Sequence, residues 1–209
     1  MPPHPRPAAA FAETWAEMEK LVDAGLARAI GTSNAMARKL EPLLKTARIL
    51  PSVSQVESHP YLPQTAEKAW AEARGIVLTA YSPLGSPARP VRTQEEGDPA
   101  PLHDPTILAI AAKHGKSAAQ VLIRWQMQRG VIVIPKSATP EHIVANLAVR
   151  DFVLSEDDMG AIGALDKGHR LIKGMHGVRE GETWRQLWDE DWAHVDTPLP
   201  AAPAPTPRS

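Results

Sequence analysis

The sequence predicts an α/β fold in which a parallel sheet is covered by helices. Four short apolar runs alternate with helical segments along the chain, and strands that alternate with helices favour a parallel sheet. The runs are largely apolar, which is typical of strands buried on both faces. No GxGxxG fingerprint follows any of them, so a Rossmann dinucleotide-binding unit has no support. The pattern alone leaves a barrel and another doubly wound sheet open.

The first half of the chain contains three of the predicted strands. Thr14 and Glu17 predict a capping box that opens an amphipathic helix, and Gly25 is a suitable residue to end it. The run Leu26–Thr32 is then predicted to be a buried strand. The other predictions here are helices over 35–46 and 64–74 and strands over 53–56 and 76–80.

The second half begins with a Pro/Gly-rich loop over 82–105, and loops of this length are functional or disordered in most compact domains. Ser117 with Gln120 and Ser155 with Asp158 are predicted capping boxes, and Thr139-Pro140 is a predicted N-cap and first helical position. One strand is predicted here, over 131–134. Helices are predicted over 106–114 and 117–129, from 139 onward, and from 155 to about 165. A last helix is predicted around Trp184, Leu187, Trp188 and Trp192.

The predicted domain organisation is a Pro-rich loop over 1–13, one folded domain over 14–195 and a Pro/Ala-rich disordered tail over 196–209. The net charge of −1 gives no electrostatic reason to expect nucleic acid or a membrane surface as partner. The chain has no cysteine, which excludes disulfides and thiolate ligands. The histidines are scattered, so we predict no metal site. Without an apolar secretory segment or a spanning run, we expect a cytoplasmic protein.

Polar residues follow each apolar run. Asn34 and Gln55 offer a donor and an acceptor together, which complements a primary carboxamide. Tyr81 could stack on a flat ring. Lys136 precedes a predicted helix N-terminus, a favourable place for phosphate. Taken singly, each has a structural alternative: a helix cap for Asn34, a backbone partner for Gln55, a core position for Tyr81 and a solvated charge for Lys136.

Four motifs at these positions, together with a helical segment, resemble the aldo-keto reductase family in order and spacing. The similarity covers about residues 14–166 and corresponds to the C-terminal half of that family. The resemblance implies part of a (β/α)₈ TIM barrel, with about four parallel strands that match barrel strands 5–8. It also implies NADPH-dependent reduction of aldehydes or ketones to alcohols. The four motifs are Gly31-Thr32-Ser33-Asn34, Gln55 to Tyr61, Ala80 to Gly85 and Ile134 to Ser137, and the helical segment is Gln120 to Trp125.

The resemblance assigns cofactor roles by position. It implies that Ser33, Asn34 and Gln55 hold the nicotinamide carboxamide and that Tyr81 stacks on the nicotinamide ring. The remaining assignments are Ser82, Leu84 and Ser86 for the pyrophosphate, Lys136, Ser137 and Thr139 for the adenosine 2′-phosphate, and Asn146 for the adenine.

His142 departs from the family pattern, because many members that prefer NADPH have an arginine at this position. An arginine is always charged, whereas an ordinary histidine is mostly neutral at pH 7. We therefore expect NADP(H) binding with weaker discrimination against NAD(H).

No catalytic residue is assigned. The family's Asp, Tyr, Lys and His tetrad lies on the first four barrel strands, ahead of the helix that begins near Thr14, so we expect the chain alone to be inactive. Three interpretations stay open: part of an active reductase, a non-catalytic NADP(H)-binding or interaction protein made of a half-barrel, and a degenerate remnant. Open sheet edges at Leu26–Thr32 and Val131–Ile134 predict that the chain associates with itself or binds a complementary half of the barrel. The complementary half would complete a site for a small carbonyl substrate.

Overall fold

The computed structural model describes residues 8–174 and 183–188. The strands are β1 Gly31–Ser33, β2 Val53–Glu57, β3 Val77–Tyr81 and β4 Ile132–Val133. The helices are α1 Ala8–Asp23, α2 Ala37–Leu44, α3 Thr65–Glu72, α4 Pro105–His114, α5 Ala118–Gln128, α6 Pro140–Leu147, α7 Glu156–Gly163 and the short α8 Trp184–Leu187. Two 3-10 turns, Val91–Thr93 and Pro101–His103, lie in the long loop after β3.

The strands form one four-stranded sheet in the order β1-β2-β3-β4. β1 pairs in parallel with β2, with Ser33 opposite Gln55, and β3 pairs in parallel with β4, with Thr79 opposite Ile132. The helices fall between the strands in sequence, as parallel pairing requires. The predicted α/β class with an open parallel sheet is therefore confirmed, and the sheet is consistent with part of a (β/α)₈ barrel.

The first predicted strand, Leu26–Thr32, is wrong over most of its length. The backbone N–H groups of Leu26 and Ala27 both donate to the carbonyl of Leu21, at 2.9 and 3.1 Å, and so close the end of α1. The Leu26 side chain is 79% exposed. Because these backbone groups complete a helix terminus, the strand begins only at Gly31.

The helix starts are predicted with mixed success. The capping boxes of Ser117 with Gln120 and of Ser155 with Asp158 are both present. Thr139 occupies the N-cap of α6, but its side chain makes no capping hydrogen bond. The predicted start of the first helix at Thr14 is wrong, because α1 begins at Ala8, inside the segment predicted to be loop. The alanines at its start have the highest helix propensity of any residue.

The chain divides into two compact units, each with its own core. The described residues of the first unit are 8–55, Thr65–Leu78, 173–174 and 183–188, and those of the second are Val56–Gln64 and Thr79–Ile172. Buried side chains of the first unit include Trp15, Leu40, Trp70 and Ile76. Those of the second unit include Ile107, Val121, Leu122, Trp125, Leu154 and Ile162.

The predicted C-terminal helix is present in part. α8 includes Trp184, and the indole N–H of Trp188 donates to the Lys173 carbonyl at 2.9 Å within the first unit. Trp192, the first seven residues and the predicted tail over 196–209 lie outside the described residues. None of the helices within the described ranges is long and apolar enough to cross a membrane.

Candidate functional site

In the first unit, the ends of β1 and β2 bring together Ser33, Asn34 and Gln55. Ser33 lies opposite Gln55 in the parallel register, and the Asn34 backbone N–H donates to the Gln55 carbonyl at 2.9 Å. Asn34 adopts a φ of 57°, a left-handed conformation in which non-glycine residues are uncommon. The N-cap of α2 is Met36, not Asn34. The alternative role of Asn34 as that helix's cap is therefore wrong, and its exposed side chain is left facing solvent.

In the second unit, a tight turn follows β3. Ser82 and Ser86 have φ values of 53° and 47°, the Gly85 N–H donates to the Ser82 carbonyl at 2.9 Å, and the Ser86 hydroxyl bonds that of Ser82 at 2.5 Å. Asn34, Ser82 and Ser86 are three of the four described non-glycine residues with positive φ; the other is Gln64. Such conformations cluster at binding sites, where the surrounding structure enforces them.

The turn borders a cavity of about 610 Å³ in the second unit. A volume of this size is typical of a small-molecule or cofactor site. Seven of the predicted site residues line it, together with Pro83, Pro87, Ala88, Arg89, Ile134, Pro135 and Ala138; the seven are Tyr81, Ser82, Leu84, Ser86, Lys136, Ser137 and Thr139.

The far end of this cavity lies at the start of α6. The Thr139 backbone N–H donates to the Ser137 hydroxyl at 3.1 Å, and Lys136 is exposed just before it. Backbone N–H groups and the helix dipole favour an anion at such an N-terminus. His142 is exposed in the first turn of α6. A cation, a hydroxyl and a helix start are together here, and each of these groups favours an anion.

A second cavity, of about 1000 Å³, lies along β4 and α6, and we call it the apolar groove. Asn146, predicted to lie near the adenine, lines it together with Lys136 and Ser137. The groove is open, since Ile132 and Ile134 are both 45% exposed and Leu147 is 77% exposed. Its other apolar lining residues are Ile123, Met127, Val131, Val133, Ile143 and Val149.

Glu57, at the end of β2, is surrounded by two charged or polar side chains that the sequence did not identify as its partners. We call Glu57, His59 and Arg170, with the backbone of Leu171 and Ile172, the Glu57 cluster. His59 Nε2 lies 3.0 Å from one Glu57 oxygen and Arg170 Nη1 lies 3.3 Å from the other. The N–H groups of Leu171 and Ile172 donate to the same carboxylate at 2.8 and 3.1 Å. Each side chain of the cluster is at most 2% exposed.

Electrostatics keep the Glu57 carboxylate ionised. Burial acts to raise the pKa of Glu57, but His59, Arg170 and the Leu171 N–H outweigh it and leave the pKa below the usual value. The pKa of Tyr81 is raised, by burial first and then by the charge of Glu57. The Tyr81 hydroxyl therefore stays protonated at neutral pH, and the half-buried ring is available as a flat surface.

Ion pairs and hydrogen bonds also fix the long loop after β3. The Tyr61 hydroxyl donates to Asp104 at 2.7 Å, and Asp104 caps α4 by accepting from the Thr106 N–H at 2.8 Å. Asp98 pairs with Arg89 and lies 3.1 Å from His169. Burial acts to raise the pKa of Asp98, but its hydrogen bonds hold the pKa below the usual value. The loop predicted to be functional or disordered is thus ordered by these contacts.

Most of these contacts carry no local sequence signal. Glu57 could have been noticed, because a carboxylate at the end of a buried strand needs a partner. Arg170 lies 113 residues away along the chain, so spacing could not have identified it. Across residues 8–174 and 183–188, no group of three or more histidine and acidic side chains could hold a metal ion.

The comparison with known proteins shows the family. The model of the Aldo/keto reductase family matches residues 2–167, and the chain therefore belongs to the aldo/keto reductases. An aldo/keto reductase of Synechocystis is 47% identical over 179 residues, and the aldo-keto reductase family 1 member A1 of Xenopus tropicalis is 51% identical over 162. The solved structure of MGS-M4, an aldo-keto reductase enzyme from a deep-sea metagenome library, matches with a TM-score of 0.72 at 36% identity.

The chain spans about half the length of the curated relatives it matches. The matched region covers 85% of this chain but 55% of the Synechocystis protein, and 78% of this chain but 49% of the Xenopus protein. For MGS-M4 the shares are 79% of this chain and 58% of the solved one.

Proposed function

We propose that this chain forms the cofactor-binding half of an NADPH-dependent aldo/keto reductase that reduces aldehydes or ketones to alcohols. The observation that carries the proposal is the cavity of about 610 Å³ in the second unit. It combines an aromatic ring, the strained Ser82–Ser86 turn, and a lysine and a hydroxyl at a helix start. Membership of the aldo/keto reductase family supports the same function.

The residues fit a nicotinamide dinucleotide phosphate by their chemistry. Ser33, Asn34 and Gln55 offer the paired donors and acceptors that a carboxamide needs. In the second unit, Tyr81 offers the ring surface. Ser82, Leu84 and Ser86 would contact the pyrophosphate, Lys136, Ser137 and Thr139 the 2′-phosphate, and Asn146 the adenine.

When bound, NADPH supplies the hydride that reduces the carbonyl. This chain's own residues bind and orient the cofactor. Because the turn and the ring are fixed before binding, little ordering is required when the cofactor binds. A fixed ring position matters for a reductase, since hydride transfer needs a defined distance between the reacting atoms.

The first test is the binding of NADPH and NADH to the full chain, followed by tryptophan fluorescence. We expect NADPH to bind more tightly than NADH, but by a modest margin, because His142 lies where many members of the family have an arginine, whose planar fork of donors suits a phosphate. His142→Arg should widen the margin, and His142→Gln should not. If neither cofactor binds, the proposed function is refuted, and if His142→Arg does not widen the margin, the role assigned to His142 is wrong.

A second function has support from the tyrosines. The chain has two, and neither is placed as a general acid. Burial raises the pKa of Tyr61, and the hydrogen bond from its hydroxyl to Asp104 raises that pKa further. The pKa of Tyr81 is raised as well. We therefore propose that the chain alone binds NADP(H) without turnover. Measurable NADPH oxidation with a panel of aldehydes and ketones would contradict this.

For the apolar groove we propose one occupant: a polypeptide equivalent to the part of the relatives that this chain does not match. That part is about half of their length, and the groove exposes the apolar side chains that such a partner would cover. A partner of this kind would complete the barrel and would also provide the site for a small carbonyl substrate. Self-association is the alternative outcome. We propose a cytoplasmic location, which fractionation of source cells would test.

A further inference from the structure

The guanidinium of Arg89 holds the tight turn that follows β3. Its Nη1 donates to the carbonyl oxygens of Gly85 and Ser86, at 3.4 and 3.3 Å. The Arg89 backbone N–H donates to the Ser86 carbonyl as well, at 3.1 Å. Arg89 lines the cavity of about 610 Å³, as do Ser82 and Ser86 of the same turn. One side chain therefore binds two consecutive carbonyls of a turn that borders the cavity.

Asp98 keeps this guanidinium in place. One carboxylate oxygen of Asp98 accepts from Arg89 Nη2 and from the Glu95 backbone N–H, the latter at 2.7 Å. The other oxygen lies 3.1 Å from His169 Nε2. The side chains of Arg89 and Asp98 are only 9% and 10% exposed, so solvent screens their attraction less than that of an exposed pair. Because a guanidinium is a rigid planar fork of donors, a carboxylate that accepts from it also fixes its orientation.

We propose that Asp98 is a positioning residue for the Ser82–Ser86 turn and that it acts through Arg89. Asp98 orients the guanidinium, the guanidinium fixes two carbonyls of the turn, and the turn keeps its positive-φ serines beside the cavity. Because His169 contacts the same carboxylate, the turn is also tied to the segment that follows α7. The importance of this positioning for cofactor binding rests on the proposed function, whereas the positioning itself does not.

Asp158 supplies a matched control, because its carboxylate has partners of the same kinds. It accepts from the Ser155 backbone N–H at 3.1 Å, and it contacts a cation and a histidine, Lys113 and His114, at 2.8 Å each. Its side chain is 6% exposed and lies on α7. Asp98→Asn and Asp158→Asn therefore remove charges with similar surroundings, and Asp98 is the one joined to the turn.

Hydrogen exchange of the full chain, measured by mass spectrometry, tests the positioning. Peptides covering 82–89 report the backbone amides of Gly85 and Arg89, both of which donate within the turn. We expect Asp98→Asn to speed exchange in these peptides roughly tenfold or more, the effect of losing one hydrogen bond to a charged group. Asp158→Asn should leave their exchange unchanged. Unchanged exchange in Asp98→Asn, or an equal rise in both variants, would overturn the proposal.

Arg89→Lys tests whether Asp98 acts through Arg89. A lysine keeps the charge but cannot bond the carboxylate and both carbonyls as the planar fork does, so we expect faster exchange in the same peptides. Asp98→Asn added to Arg89→Lys should speed exchange no further, and additive effects would overturn the route through Arg89. If Asp98→Asn fails to fold, as judged by circular dichroism, Arg89→Lys decides the outcome, and unchanged exchange in that variant overturns the proposal.

Cofactor titration separates this inference from the proposed function. We expect NADPH to bind Asp98→Asn roughly two- to tenfold more weakly than wild type, because a loosened turn must be ordered when the cofactor binds. Asp158→Asn should bind NADPH as wild type does. If wild type binds no cofactor while the exchange responses appear, the proposed function fails and the positioning by Asp98 stands. If wild type binds NADPH and the exchange responses are absent, the positioning is overturned and the proposed function stands.

Discussion

Two regions of the second unit reverse the usual distribution of side chains. The Glu57 cluster buries an acid, a histidine and an arginine completely, whereas the apolar groove exposes Ile132, Ile134 and Leu147 to water. Buried charges persist only when they are paired and hydrogen-bonded, and exposed apolar patches mark surfaces that bind a partner. The contrast teaches that the charges of the first region find their partners among the described residues, whereas the apolar side chains of the second remain in contact with water.

The largest effect is expected from breaking the Glu57 cluster. Glu57→Gln leaves the Arg170 charge buried and uncompensated, so we expect the free energy of unfolding to fall by about 3–5 kcal/mol. Urea denaturation followed by circular dichroism would measure it. Glu72→Gln, which affects an exposed carboxylate paired with Lys68, is the control and should change stability by less than about 1 kcal/mol. Equal losses in the two variants would show that the Glu57 cluster is not a special source of stability.

The next largest loss of stability is expected from a substitution in the turn beside the cavity. Gly85 has a φ of 79°, and an added Cβ would lie 2.6 Å from Pro101. Gly97 has a nearly identical φ of 81°, with no atom within 4 Å of an added Cβ. Both alanine variants strain the backbone, so their difference isolates the steric clash. We expect Gly85→Ala to lose about 1–3 kcal/mol more than Gly97→Ala in thermal denaturation.

If the two variants lose the same stability, the packing between the turn and Pro101 is loose. In that case the turn would not be rigid before a ligand binds, and the fixed geometry assigned to the cavity would be wrong.

Charge in the apolar groove should weaken association more than folding. We expect the wild-type chain to self-associate when its partner surface is missing. Leu147→Glu should weaken that association at least about tenfold, because burying one leucine contributes about 1.5–3 kcal/mol. Analytical ultracentrifugation over a range of concentrations would measure it. Leu26→Glu changes a leucine of similar exposure outside the groove and should have no effect. A wild type that remains monomeric would contradict the expectation of self-association.

The smallest change in stability is expected from removing the charge of a second buried carboxylate, that of Asp158. Its partners are more exposed to solvent than those of Glu57. Burial acts to raise the pKa of Asp158, but Lys113, His114 and Ser155 hold it below the usual value. A lowered pKa stabilises the fold above the ordinary carboxyl range, and this stability is lost as the pH falls. Because the Lys113 side chain is 55% exposed, we expect Asp158→Asn to cost only about 1 kcal/mol at pH 7.

The measurement is urea unfolding at pH 7 and at pH 3. The cost of Asp158→Asn should shrink at the lower pH, while the exposed Asp157→Asn should change little at either. A cost that is independent of pH would show that the charge of Asp158 does not contribute.

Local chemistry explains which predictions from sequence succeeded. The capping boxes at Ser117 and Ser155 are confirmed because their donors and acceptors lie within four residues of each other. The strand predicted over Leu26–Thr32 is wrong because an apolar run resembles a strand even where its N–H groups close a preceding helix. Of the site, residues at the strand ends could be predicted, since parallel strands place their carboxyl ends along one edge of a sheet.

By itself, the sequence determined the fold class, the alternation of strands and helices, the family motifs, and seven of the residues that line the cavity in the second unit. Only the tertiary structure decided the partners of Glu57, the burial of Arg170 and the exposure of the groove. Hydrophobic periodicity and capping depend on neighbours within a turn or two of the chain. The pairing of a buried charge depends on which distant segment the folded chain brings within hydrogen-bonding distance, and no spacing in the sequence encodes that.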